Sequence, residues 1–351
     1  MTDLDERIVL TLRERAEGPV DADRLLVGAV VRGRARVCRR RAAAGAVLSV
    51  VALLGVGVVA GPVARLPGLG PAIAPGLPGP AEAAVPLVPP RVDGAPGAAA
   101  RPDRIGKDPA LLHIGLAPGG PRFLEWNVGG GKETAKLDVG GRTVTVELTS
   151  VDVLQSVGAW NMPPLQGPTG NRYDGSVGHT DGPDGVPIWR RYWQPAPGVY
   201  AGASVAGPDE GPLHDAAAAL RLDAAYGCNG PLRLTDLPAG AQFTGCWMVV
   251  GTFPAAYAVM MHVIDYDRKT SMLVELQYAG TTTTSHATAN RTIGGRPGHF
   301  DPDRKRLSLL DIPRAQLSAT LSSDKTFTEA EAGTVLVGAR VAEYLDQPAT
   351  W

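Results

Sequence analysis

Twenty-three consecutive residues, Ala42 to Ala64, carry no charge, and Arg41 and Arg65 bracket them. At ~1.5 Å of rise per residue a helix of this length reaches ~34 Å, enough for a hydrocarbon core of about 30 Å. One transmembrane helix is therefore predicted. On its N-terminal side Arg32, Arg34, Arg36, Arg39, Arg40 and Arg41 occur with no acid after Asp23, whereas the other flank offers only Arg65 before Arg91. Such an asymmetry keeps residues 1–41 in the cytoplasm and sends the long C-terminal part outside, as a single-pass protein of the plasma membrane. A cleaved signal peptide is the rival reading. It requires an n-region of about 41 residues, far beyond the usual, and its small-residue site Ala81-Glu82-Ala83 lies well past the apolar run. Within the run Gly45, Ser49, Ala52, Gly55 and Gly57 are small enough for two such helices to approach closely, the basis for expecting a homodimer through this segment.

The formal charge of −1 is a sum over two compartments. Residues 1–64 hold 10 basic against 7 acidic side chains, and residues 65–351 hold 24 against 28. That balance argues against a general nucleic-acid binder, whose affinity rests on basic contacts to phosphate. Residues 3–16 set Leu4, Ile8 and Leu12 on one stripe, with acids in the first turn and arginines in the last, so a short amphipathic helix is expected there. It has two candidate partners, the inner leaflet of the lipid bilayer and a cytoplasmic protein. Cys38 has no neighbouring Cys or His at metal-ligand spacing, and the zinc motif of zinc-binding anti-sigma factors is absent. Residues 65–107 read as a linker. Ten Pro and six Gly fall between 65 and 104, a composition that forms an extended spacer reaching on the order of 120 Å at most.

Beyond the linker, strand signals dominate. Alternation or β-branched enrichment marks Arg122–Val128, Arg142–Leu148, Ile188–Trp193, Val199–Val205, Gln242–Val250, Ala256–Tyr266, Ser271–Tyr278 and Gln316–Leu321. Two helices interrupt, at Pro212–Leu222 and Thr328–Leu345, the second opened by the capping box Thr328/Glu331. The segment Asn171-Arg172-x-x-Gly175-x-x-Gly178-His179 recurs as Asn290-Arg291-x-x-Gly294-x-x-x-Gly298-His299, and Pro183-Asp184 recurs as Pro302-Asp303. Pro197 and Ala203 recur as Pro313 and Ala319, and Arg142–Leu148 falls on Ala258–Ile264. The order of these elements predicts two similar units, 108–224 and 225–351, each of several antiparallel strands followed by a helix. The expected fold class is α+β: one transmembrane helix, a Pro/Gly-rich stalk, and an antiparallel β-rich outer domain.

Cys228 and Cys246 are the two cysteines of that outer part. An even count in an oxidising compartment points to one disulfide, worth ~3 kcal/mol on the loop-entropy model. The six histidines, at 113, 179, 214, 262, 286 and 299, include no pair spaced as metal ligands usually are, so neither a metal nor another cofactor is expected. Ser204, in Gly202-Ala203-Ser204-Val205-Ala206, resembles a nucleophile elbow, but the second glycine is replaced and no oxyanion motif accompanies it. The densest candidate for ligand contact is Trp189-Arg190-Arg191-Tyr192-Trp193, continuing to Tyr200. Alternation puts Trp189, Arg191 and Trp193 on one face and Arg190 and Tyr192 on the other; one face enters the core and the other is free to stack on a sugar or peptide. Trp126, Trp160 and Trp247 stand alone and are assigned to the core.

In layout, residues 1–64, with LRERAEGPVDADRLL ahead of the arginine cluster and the span, resemble single-pass membrane proteins of actinobacterial type that carry a secreted domain of unknown function. The strand-then-helix tail Phe327–Leu345 is faintly similar to extracytoplasmic regulators of the MucB/RseB type; that likeness transfers no functional residue. Together these imply a membrane-anchored, non-catalytic binding or sensing module for an envelope protein, glycan or peptide. A cell-surface hydrolase or glycan-active enzyme and a structural envelope protein are the alternatives.

Overall fold

Lys132–Val139 and Val199–Ala206 alternate between buried and partly exposed side chains along their whole length, the signature of strands with one face on a core. The computed structural model describes residues 87–151, 173–182, 185–280, 287–322 and 327–351. The N-terminal segment, the apolar run at 42–64, the first part of the linker, Trp160, His286 and positions 171–172 and 183–184 lie outside the described residues. Among the described residues no helix is long and apolar enough to cross a membrane.

The chain enters through the short strands β1 (Arg91–Pro96), β2 (Leu111–Leu112) and β3 (Gly115–Leu116). Then come β4 (Arg122–Gly129), β5 (Lys132–Val139), β6 (Arg142–Thr149), β7 (Asp174–Asp181), β8 (Pro187–Ala196) and β9 (Val199–Ala206). Helix α1 (Gly211–Ala219) runs directly into β10 (Leu220–Arg221). After β11 (Ala224–Gly227) and β12 (Leu232–Leu234) follow β13 (Gln242–Thr252), β14 (Ala256–Asp265) and β15 (Thr270–Ala279). The last strands are β16 (Arg291–Ile293), β17 (Arg296–Asp301), β18 (Arg306–Leu309) and β19 (Ala315–Leu321). Helix α2 (Glu329–Gly338) runs into β20 (Ala339–Val341).

Thirteen strands make one antiparallel sheet, ordered β16-β17-β18-β19-β15-β14-β13-β4-β5-β6-β9-β8-β7. Outward from the central β13–β4 pair both sides read alike: β4, β5, β6, β9, β8, β7 on one, and β13, β14, β15, β19, β18, β17 on the other. The register agrees as well. At the centre Asn127 faces Trp247, with Trp126 opposite Met248 and Val128 opposite Cys246. Successive pairings lead from Trp126 through Ala135, Val146 and Ala203 to Arg191. The matching row leads from Cys246 through Met261, Val274 and Ala319 to Leu307. Each helix is followed at once by a short strand that pairs with the one before its half of the sheet: β10 with β3, and β20 with β12.

Both helices pack on the face that carries Trp126, Leu137, Val146, Met248, Val259, Leu276 and Leu317, and their Leu213, Ala216, Val335 and Leu336 complete one core. Cys228 and Cys246 are disulfide-bonded within it, Cα atoms 6.1 Å apart, and the indole N–H of Trp126 donates to the Cys228 carbonyl at 2.9 Å. Residues 108–224 and 225–351 thus share a single sheet and core.

Four expectations change in three dimensions. Arg91–Pro96 and Ile105, placed in the linker, belong to the fold: β1 pairs with β11, and Ala98 and Ile105 are fully buried. Helix α2 stops at Gly338 rather than Leu345, because Ala339–Val341 extends to pair with β12. Arg142–Leu148, matched in sequence to Ala258–Ile264, occupies as β6 the place that Thr270–Ala279 holds in the other half. The repeated Gly-His also diverges. His179 lies on the helix side, its ring 4.6 Å from that of Trp189, whereas His299 sits on the opposite side facing Ser308 and bonds through Nδ1 to the Thr288 carbonyl.

Candidate functional site

Strand β8 splits the aromatic segment between two faces. Trp189, Arg191 and Trp193 point to the helix side: Trp189 and Trp193 are partly buried against the core, and the Trp189 indole donates to the Gly207 carbonyl at 2.9 Å. Arg191 Nε donates to the Gly175 carbonyl at 3.1 Å, its guanidinium lies over the Trp193 ring, and it approaches His214 of α1 at 3.5 Å. Tyr200 is on the other face. There it meets Tyr173 and, through it, Tyr192, with centroid distances of 4.8 and 6.5 Å. Burial pushes the Tyr192 hydroxyl pKa up. The four residues nominated for ligand contact therefore do not form one surface, and three of them fill space between sheet and helix.

No catalytic constellation assembles among the described residues. Ser204 stands on β9 opposite Thr145 and Arg190. The histidine side chains bond elsewhere: His113 to Glu133, His214 to Arg191, His299 to Thr288. His262, held neutral because burial lowers its pKa, lies on β14 opposite Gly245 and Leu273. No group of three or more His, Cys, Asp or Glu among the described residues is arranged to hold a metal ion.

The concave site is in the other half, along α2. Ala330, Gly333, Thr334 and Val337, spaced i, i+3, i+4 and i+7, form one helix face opposite the β16–β17 hairpin and Leu307 of β18. Between them runs an open groove of about 670 Å³. Its length along the helix is ~10 Å, the span of about three extended residues. The hairpin turns on Gly294 and Gly295, with φ of 56° and 82°, and a Cβ on Gly294 would stand 2.5 Å from Val337 Cγ2. Glycine is thus required there both for the turn and for the approach of hairpin to helix. Gly333 is different: a Cβ there would meet only Ile293, at 3.6 Å, so its missing side chain is open groove.

One end of the groove is closed by Arg291, which donates through Nε to Glu329 and lies 5.6 Å from the Phe300 ring. At the other end the Asp236 carboxylate accepts a bond from Thr235 Oγ1 at 3.1 Å and pairs with no basic group among the described residues. It sits against Gly338, the last residue of α2, where the helix dipole is negative. Two negative fields coincide there, with no ion pair to Asp236 among the described residues.

The sequence pointed to neither Asp236 nor the Gly333 face. A glycine inside a helix, costing about 1 kcal/mol relative to alanine, is the one signal that marks it. Compared with models of protein families, with curated proteins and with solved structures, the chain matches none of them.

Proposed function

We propose that this chain is a membrane-anchored, non-catalytic binding module whose outer domain consists of two similar units facing the extracytoplasmic side. The open groove along α2 carries the reading: it has an apolar floor of Ile293 and Leu307, the Thr334 side chain on its helix wall, and charged groups at its ends. Sites of this size and make-up suit small ligands or short peptide segments. The palindromic strand order supports two units, and the uncharged run Ala42–Ala64 with its arginine cluster supports the anchor.

The test places a reporter at the rim. In a Cys38→Ser background, Val337→Cys, at a site where the native side chain is 47 % exposed, is labelled with an environment-sensitive dye on the full chain in zwitterionic nanodiscs. Short peptides of varied charge and cell-envelope glycan fragments are then titrated. Saturable emission change with at least one class, lost in Gly333→Trp, is the expected result. Silence towards every class overturns the proposal.

A further inference from the structure

The two halves of the sheet differ at the place where this groove lies. The register that carries Trp126 to Arg191 carries Cys246 to Leu307. Counting back from the strand that abuts each helix, Leu220 matches Ala339, so His214 of α1 corresponds to Gly333 of α2. In the first half Arg191 and His214 meet side by side between sheet and helix. In the second half the same two positions hold Leu307 and Gly333, and the space is open. The first half therefore fills its own groove with a strand-borne arginine, and the second leaves that volume empty while adding Asp236 at its end.

Resting on the binding reading above, we propose that the α2 groove receives an arginine or lysine side chain from an extended peptide segment of a partner. The cation takes the volume that Arg191 occupies in the first half and faces Asp236 and the C-terminal end of α2, both negative. An extended backbone is favoured by β16. This strand is at the sheet edge, and Thr292 sits opposite Pro297 at a position whose N–H and carbonyl point away from β17, leaving them open to a further strand. The Arg291–Glu329 pair at the far end is self-neutralised, so the remaining charge of the groove is that of Asp236.

Two blocked, fluorescein-labelled peptides separate the possibilities: Val-Arg-Val-Arg-Val and Val-Glu-Val-Glu-Val, titrated by anisotropy against the full chain in zwitterionic nanodiscs. The basic peptide is expected to bind about tenfold more tightly and to weaken with salt. Asp236→Asn, a change at an exposed side chain, is expected to reduce that preference roughly threefold or more. The double substitution Leu307→Arg with Gly333→His, which copies the first half, is expected to abolish binding of the basic peptide; circular dichroism of the same sample reports its folding. Equal affinity for both peptides, or a preference unmoved by Asp236→Asn, overturns the inference. In either case a response of the Val337→Cys reporter to some other ligand leaves the binding reading standing, and its silence removes both.

Discussion

At the residue scale the least replaceable polar group is Glu133. Its carboxylate is fully buried on β5, accepts the Gly106 N–H at 3.1 Å and the His113 backbone N–H, and meets His113 Nδ1 at 2.6 Å. Two backbone N–H donors and the His113 ring lose their partner together if it is truncated. Glu133→Ala is expected to lower stability by about 3–5 kcal/mol, read as a shift of the urea midpoint, whereas its counterpart in the other half, Val259, has no such dependency. Nothing in the letters joins His113 to Glu133, twenty positions apart; the pairing exists because the β2–β3 segment is laid over β5. His262 gives a second residue-scale prediction. Burial lowers its pKa, so it is neutral in the fold but takes a proton in the unfolded chain below about pH 6.5. The stability it contributes is full above that value and is lost as the pH falls through the folded pKa. His262→Gln should flatten that part of the stability profile in urea titrations at about pH 7 and about pH 5.5; an unchanged slope would remove the assignment.

At the element scale, helix α2 shows how far local signals reach. Its start was legible: Thr328 Oγ1 accepts the Glu331 N–H at 3.2 Å and Glu331 returns a bond to the Thr328 N–H at 2.7 Å. Its end was not, because Ala339–Val341 has a partner in β12 that is distant in sequence and outcompetes the helix. The helix start is also tied to the β14–β15 turn, where Arg268 binds both Glu331 and Asp265. The Thr328 N–H, then Arg268, hold the Glu331 carboxyl below its ordinary range, and the Arg268 backbone and side chain do the same for Asp265. Carboxyls depressed in the fold stabilise it above their unfolded pKa near 4 and cease to do so as the pH falls through the folded values. Acid unfolding is therefore expected to begin below about pH 4 and to move modestly to higher pH in Arg268→Ala, which removes the guanidinium from both carboxyls while the backbone N–H bonds to each remain. Thr328→Ala should cost about 1 kcal/mol at neutral pH by removing the cap, measurable by chemical denaturation.

At the scale of the whole molecule, orientation is the property to test first. With a membrane-impermeant maleimide on intact cells, the proposed orientation predicts that Tyr266→Cys, at a site 61 % exposed in the β14–β15 turn, labels, and that native Cys38 labels only after lysis. The reverse pattern would invert the topology. The sequence by itself determined the parts that depend on neighbours along the chain: the uncharged run and its arginine flank, the strands with period two, the Thr328 cap, and the Cys228–Cys246 pair. All but the last are local balances of hydrophobicity, propensity or charge; the cysteine pair follows from there being two cysteines beyond the linker. It also placed Trp189, Arg191 and Trp193 on one face of a strand, but not which face met the core, since alternation is blind to what lies on either side. The tertiary structure alone decided that β4 and β13 join the halves into one sheet, that Arg191 and His214 fill in one half what Leu307 and Gly333 leave open in the other, and that Asp236 ends that groove. The reason is physical: a groove is defined by the volume left between elements that meet only after the chain has folded, and no periodicity along the sequence records an empty space.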